Sequence, residues 1–99
     1  MIKHIVAWKL KENAEGKSRK ENLALLKQKF TGFQRTIPVI KNLEVGLNAD
    51  QTSKENWDIV LIIEFATFSD LEIYQRHPEH LKVGEFVKLV RESRSCVDF

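Results

Sequence analysis

The chain has 99 residues, the size of one domain, so we predict a single domain over residues 1–99. Its 16 lysine and arginine residues stand against 14 acidic residues, and a net charge of +2 is too small for the concentrated basic face that nucleic-acid binding requires. No apolar run approaches the roughly 20 residues that span a bilayer, and no apolar leader follows Met1. The single cysteine excludes an internal disulfide. Together these features favour a cytoplasmic protein.

The first third of the chain predicts a strand followed by a helix. Residues 2–10 alternate in character with the period of a β-strand. One face of this strand carries Ile2, His4, Val6, Trp8 and Leu10. After a polar loop, Ser18 and Glu21 have the spacing of a capping box, which starts a helix. Apolar residues then recur at helical intervals over about residues 19–35, and Pro38 prevents the helix from continuing.

Two strands are predicted in the middle of the chain, over residues 40–48 and 57–65. The second differs from the first strand of the chain because it is apolar on both faces, with Val60 and Ile62 opposite its main apolar side. A large apolar face that is left open is typical of an interface. We therefore expect a second copy of the chain to cover it, which predicts a homodimer.

A helical region with a break in it follows. Ser69 and Glu72 have capping-box spacing, so we predict that this helix begins after Ser69. His77-Pro78 interrupts it, because the residue before a proline is forced out of the α region. Pro78 then suits the first turn of a new helix, and residues 95–99 form a last strand. The resulting order, β-α-β-β-α-β with a broken second helix, predicts a ferredoxin-like α+β fold with an antiparallel sheet.

Residues around the helix break can carry chemistry. His80 lies at the third position of the new helix, where unpaired amides and the helix dipole disfavour the imidazolium. A neutral histidine is competent as a general base near neutral pH. Tyr74 precedes the break and can supply a hydroxyl to the same pocket. His77 can instead accept a hydrogen bond from the amides of the helix that it precedes.

Each candidate also has a purely structural interpretation. His80 continues a stripe of valines, which is typical of a core histidine, and Tyr74 can serve in packing. His4, on the first strand, can be a core residue bonded to backbone. The His-x-x-His pair lacks the further ligand that a metal site requires, so we expect neither a metal nor a cofactor. Cys96 is expected to be a small, half-buried side chain near the chain end.

Four segments of the sequence resemble the stress-responsive A/B barrel (Dabb) domain family in order and spacing. They are IKHIVAWKLKE, IPVIKNLEVGLN, WDIVLIIEFATFSDLEIYQRHPEHLKV and CVDF. The resemblance extends over essentially the whole chain, and its most specific part is YQ-x-HP-x-H at residues 74–80. Membership of this family implies a ferredoxin-like subunit that pairs into a dimeric α+β barrel.

One member of the family, the plant polyketide cyclase olivetolic acid cyclase, implies a chemistry. In that enzyme the tyrosine and the last histidine of the matching segment form an acid/base pair. By resemblance these are Tyr74 and His80 here, with His4 and His77 as binding residues in the same pocket.

The chain departs from that enzyme at two pocket positions. The cyclase has a histidine where this chain has Asp58 beside Trp57, and a tyrosine near the position of Phe30. Phe30 and Asp58 are therefore the expected binding residues at these places, and a polyketide substrate is not implied.

Two hypotheses follow. The first is a stress-response homodimer that binds a small apolar or carbonyl-containing ligand, with no defined reaction. The alternative is a cofactor-independent cyclase, lyase or isomerase, in which His80 removes a proton next to a carbonyl and Tyr74 stabilises the oxyanion. Oxygenation, as in other dimeric α+β barrels, rests on analogy of fold alone.

Overall fold

The computed structural model describes residues 1–99 as six strands and three helices. In chain order these are β1 (Ile2–Leu10), β2 (Asn13–Ala14), β3 (Lys17–Ser18), α1 (Arg19–Thr36), β4 (Asn42–Leu47), β5 (Ile59–Phe65), α2 (Phe68–Arg76), α3 (Pro78–Val90) and β6 (Arg91–Asp98). None of the three helices combines the length and the apolar character that crossing a bilayer requires.

Four strands form one antiparallel sheet in the order β4-β5-β1-β6. Alternate residues of β1 and β5 are buried on one face of this sheet, as the period of two predicts. A cluster of 17 buried apolar residues joins this face to all three helices. The architecture confirms the ferredoxin-like α+β fold with a broken second helix.

The opposite face of the sheet carries a second set of apolar side chains. Ile5 pairs with Ile62 and Ala7 pairs with Val60 across the β1–β5 ladder, and all four are only partly buried. Val97, opposite Ile5 on β6, is 59% exposed. Because the three helices all contribute to the core on the other side, this apolar face is left without a covering layer within the chain.

The segment between β1 and α1 is a short hairpin, where the sequence predicted only a polar loop. β2 and β3 pair antiparallel around Glu15 and Gly16, which have φ angles of 52° and 73°. Positive φ at both turn residues is the geometry of a type I′ turn, which matches the twist of paired strands. Asn22 of α1 holds the hairpin in place by donating from Nδ2 to the Ala14 carbonyl over 3.1 Å.

Helix α1 begins as predicted. The Ser18 hydroxyl accepts from the Glu21 N–H over 3.2 Å, and the Ser18 N–H donates to the Glu21 carboxylate over 3.0 Å. These two bonds complete the capping box, and the bonds from Ser18 lower the pKa of Glu21. The helix ends at Thr36, one residue beyond the predicted end at about residue 35.

The predicted start of helix α2 was wrong by two residues. Thr67, rather than Ser69, is the N-cap, and its hydroxyl accepts from the Asp70 N–H over 3.1 Å. β5 ends at Phe65, as predicted, so only Ala66 separates the strand from the cap. Both Thr67 and Ser69 have an acidic residue three positions on, and local spacing does not distinguish them.

Strand β6 is longer than predicted. It begins at Arg91, directly after α3, and runs to Asp98, whereas the sequence predicted a strand only from residue 95. The strand pairs with β1 over most of its length, from Arg91 opposite Leu10 to Asp98 opposite His4. The longer pairing places the side chains of β6 alongside the whole core face of β1.

Removing the N-cap of α2 tests the corrected helix start. We expect Thr67→Ala to lower the free energy of unfolding by about 1 kcal/mol, because the Asp70 N–H loses its partner. Ser69→Ala is the matched control and should change stability by less than about 0.5 kcal/mol, as for an ordinary surface substitution. Urea unfolding followed by circular dichroism measures both. The opposite ranking of the two variants would contradict the assignment of Thr67 as N-cap.

Candidate functional site

The core face of the sheet and the helices enclose a cavity of about 290 Å³. This volume lies at the lower end of the range of about 300–1,000 Å³ that is typical of small-molecule sites. Its walls come from β1, α1, β5, α2, α3 and β6, and the residues of most interest are His4, Trp8, Phe30, Tyr74, His80 and Arg94. The cavity therefore brings together side chains from both ends of the chain.

The break between α2 and α3 positions Tyr74 and His80 beside each other. His77 has φ −63° and ψ 136°, an extended conformation that Pro78 imposes on the residue before it. The chain turns at this point, so Tyr74 near the end of α2 and His80 in the first turn of α3 face the same space. Their ring centroids are 4.5 Å apart, and both line the cavity.

His80 is arranged as a proton acceptor. Its Nδ1 donates to the backbone carbonyl of Gln75 over 3.1 Å, since a carbonyl oxygen can only accept. Burial is the main effect and lowers the pKa of His80, whereas the hydrogen bond to the Gln75 carbonyl raises it. Electrostatic interactions with His4, Arg94 and His77 also lower this pKa. The imidazole is therefore neutral near pH 7, and its Nε2 carries a lone pair.

Tyr74 is arranged as a proton donor. The side chain is only 1% exposed, and it contacts the rings of Phe33, Phe65 and His4 as well as that of His80. Burial raises the pKa of the phenol well above its usual range, although the positive charge of Arg94 opposes the shift. The hydroxyl stays protonated at all physiological pH values, so the cavity pairs a hydrogen-bond donor with the His80 acceptor.

His4 is oriented by two residues of β6 that the sequence did not single out for the site. Its Nδ1 donates to the carboxylate of Asp98, which lies opposite it in the sheet, and Cys96 Sγ lies 3.8 Å from the same nitrogen. A carboxylate can only accept, so the hydrogen of this bond lies on His4 Nδ1. The other ring nitrogen of His4, Nε2, is then available to the cavity. No local motif reveals this contact, since the two residues are 94 positions apart.

The same three residues are the ones that could hold a metal ion. The ligand atoms of His4, Cys96 and Asp98 all lie within 4.8 Å of one another. Burial raises the pKa of the Cys96 thiol, and the negative charge of Asp98 raises it further, so the thiolate that a metal would need is disfavoured in the free protein. With His4 Nδ1 already bonded to Asp98, the cluster is organised as a hydrogen-bonded support for His4.

The structure separates the remaining candidates into one inside the cavity and two outside it. Phe30 lines the cavity and stacks on Trp8 with ring centroids 5.0 Å apart. His77 is the N-cap of α3, with its Nδ1 accepting from the Glu79 N–H over 3.1 Å. Asp58 accepts from the Leu10 N–H over 2.8 Å at the far end of β1, and it is not among the lining residues.

Comparison with known proteins agrees with this architecture. The pattern of the family described as "Stress Responsive A/B Barrel Domain" matches residues 2–99. The chain belongs to this family. A dimeric protein of unknown function with a ferredoxin-like fold from Bacteroides fragilis is 35% identical to it, with a TM-score of 0.80 and a match that covers 99% of this chain and 93% of that one. No curated protein matches the sequence.

More distant structures share the fold. A dimeric ferredoxin-like protein of unknown function from Thermobifida fusca has a TM-score of 0.83 at 18% identity, covering 99% of this chain and 88% of that one. A hydroxynitrile lyase from Passiflora edulis has a TM-score of 0.77 at 17% identity, covering 99% and 90%. The family fold thus occurs both in proteins without a known reaction and in an enzyme.

The protonation state of His80 can be measured directly. We expect its imidazole to titrate below the usual value of about 6.5, because burial disfavours the cation. The unfolded chain then binds a proton at this residue at a higher pH than the folded chain does. The free energy of unfolding should therefore rise with pH between the two pKa values. NMR titration of the imidazole resonances measures the midpoint, and a value at or above 6.5 would contradict the account.

Proposed function

We propose that the protein is a homodimer that binds a small, mostly apolar molecule with a carbonyl group in this cavity, without a cofactor. The observation that carries the proposal is the convergence of Tyr74 and His80 in a cavity whose other walls are largely apolar. Apolar walls with a few polar groups that point to one place are the general character of a small-molecule site. The free thiol of Cys96 suits the reducing cytoplasm, which we propose as its location.

The polar groups of the cavity suit a carbonyl compound. The Tyr74 hydroxyl can donate to the carbonyl oxygen, and the stacked rings of Trp8 and Phe30 offer a flat apolar surface to the body of the ligand. His80 Nε2 can accept from a hydroxyl or from an acidic C–H next to the carbonyl. A ligand with a flat apolar body and one carbonyl group would therefore satisfy both polar groups.

The open face of the sheet supports the homodimer. Its central apolar residues come from three neighbouring strands: Ile5, Ala7, Val60, Ile62 and Val97. Burying such a face against an identical one removes apolar area from water on both subunits, at about 25 cal/mol per Å². The related protein from Bacteroides fragilis is described as dimeric, at 35% identity.

Filling the cavity tests the binding proposal. Gly84 of α3 lines the cavity, and a Cβ added there meets no atom within 4 Å. We expect Gly84→Phe to occupy the space and to reduce the affinity for 2-acetonaphthone, a flat aromatic ketone, by tenfold or more. Gly32→Phe is the matched control, since Gly32 is also helical and has free space but lies outside the cavity. Isothermal calorimetry measures both, and equal affinities in the two variants would contradict the proposal.

A charged residue on the open face tests the homodimer. We expect Ile62→Lys to convert the protein to a monomer of about half the mass, because the lysine would be buried without a partner at the interface. Phe68→Lys is the control, since Phe68 is 57% exposed on α2, away from the sheet face. Light scattering after size-exclusion chromatography gives the mass. A wild-type mass near the 11.6 kDa of one chain would overturn the homodimer.

A second candidate function is proton transfer next to a carbonyl, and the donor–acceptor pairing of Tyr74 with His80 favours it. His80 Nε2 would take a proton from the carbon beside the carbonyl. The electron pair of that C–H bond would form a C=C bond to the carbonyl carbon, and the π pair of the C=O bond would move to the oxygen. The Tyr74 hydroxyl would stabilise the resulting enolate by hydrogen bonding. Return of the proton from His80 to a different carbon of the enolate system would complete an isomerisation. In a cyclisation the enolate carbon would attack a second carbonyl, and His80 would give its proton to the alkoxide that forms, which regenerates neutral His80.

Isotope exchange tests this reaction without knowledge of the natural substrate. We expect the wild-type protein to accelerate deuterium uptake into the methyl group of 2-acetonaphthone in D₂O. His80→Gln should remove most of the acceleration, by about 10²-fold or more, as for loss of a general base. Tyr74→Phe should also reduce the exchange rate, and because it removes the donor to the carbonyl and weakens binding, the two rates are compared at saturating ketone. Proton NMR follows the exchange, and a wild-type rate equal to that of buffer would exclude the reaction but leave ligand binding standing.

A further inference from the structure

The charged residues that line the cavity are all basic. Of its 14 lining residues, Lys88, Arg91 and Arg94 carry positive charges, and none is an aspartate or a glutamate. The chain as a whole is nearly balanced, at 16 basic against 14 acidic residues. The charge of this cavity is therefore a local arrangement that the composition does not require.

Two of these cations form no ion pair within the chain. The ion pairs of the molecule join Arg19 to Asp58, Lys88 to Glu85 and His4 to Asp98. Arg91 and Arg94 take part in none of them. An arginine at the wall of a partly apolar cavity gains most from an anion that it can bind with two parallel hydrogen bonds.

Arg94, an exposed residue of β6, is the lining cation that the sheet pairing places beside Trp8. It lies opposite Trp8 in the β1–β6 ladder, on the same side of β6 as Cys96 opposite Val6. This side of the strand faces the cavity. Its charge also acts on both Tyr74 and His80, in addition to the dominant effect of burial on each. A group bound by Arg94 would therefore lie beside the Tyr74–His80 pair.

The Tyr74 hydroxyl is the neutral donor of this wall, whereas the Trp8 indole N–H has no surface open to the cavity. Trp8 is only 5% exposed, and its indole N–H is buried without a hydrogen-bond partner. A donor without accessible surface cannot reach a ligand, so Trp8 contributes its ring alone to the binding surface. The groups that can donate to a ligand are therefore the Tyr74 hydroxyl and the basic side chains, with His80 as an acceptor beside them.

We propose that the ligand is an amphipathic carboxylate, held by the Arg94 guanidinium with its apolar body against Trp8 and Phe30. This inference rests on the proposed binding function and adds the charge of the ligand. Arg91 and Lys88 also line the cavity, and although Lys88 is paired with Glu85, both add positive charge that attracts an anion. A carboxylate in this place would also accept from the Tyr74 hydroxyl.

An isosteric pair of probes separates the effect of charge from that of shape. 2-Naphthoate and 2-naphthamide have the same ring and nearly the same volume, and they differ in charge. We expect the wild-type protein to bind the carboxylate at least tenfold more tightly than the amide, as measured by calorimetry at low salt. Arg94→Gln should remove about tenfold of the affinity for the carboxylate and leave the affinity for the amide unchanged.

Two further variants control this experiment. Arg94→Lys keeps the charge but not the two-pronged geometry, so it should lose part of the preference for the carboxylate. Arg76→Gln removes an exposed arginine of α2 that does not line the cavity, and it should leave both affinities unchanged.

The possible failures are distinguishable. Equal binding of carboxylate and amide, or an equal effect of Arg94→Gln on both, would overturn the anionic ligand and leave the cavity as a binding site. Failure of both compounds to bind, together with failure of 2-acetonaphthone, would overturn the proposed binding function itself.

Discussion

The candidate site depends on the missing backbone N–H and the rigid ring of Pro78. The ring excludes the α conformation at His77, so α2 must end there, and Pro78 can begin α3 because the first turn of a helix needs no N–H bond. In one continuous helix, the helical repeat would fix the positions of Tyr74 and His80 relative to each other. The break instead gives each its own helix, and their rings come to 4.5 Å around one cavity. His77 satisfies the free amide that the new helix start creates.

Burial then gives the two residues opposite chemical roles. Removal from water raises the pKa of the Tyr74 phenol and lowers that of the His80 imidazole, so each stays uncharged, one as a donor and the other as an acceptor. The same apolar walls that cause these shifts also form the surface for a ligand. The molecule that enters the cavity would decide whether these two residues only bind it or also transfer a proton.

Much of the fold could be predicted because the spacing of apolar residues along the chain shows which face of a strand or helix is buried. The alternation in β1, the capping box of α1 and the break at Pro78 are local patterns, and all three are present in the structure. The start of α2 could not be predicted, because two N-cap candidates, Thr67 and Ser69, have the same spacing to an acidic residue. The support of His4 by Asp98 depends on pairing between the two ends of the chain, which no local pattern encodes.

The three histidines give the most direct test of the central claim, that Tyr74 and His80 belong to a ligand-binding cavity. His4 and His80 line the cavity, whereas His77 caps α3 outside it. Imidazole ¹⁵N–¹H correlation spectra should be recorded during titration with 2-acetonaphthone. The account predicts saturable shifts of the His4 and His80 resonances, with those of His77 nearly unchanged. Shifts confined to His77, or no shift of His80 at saturation, would contradict it.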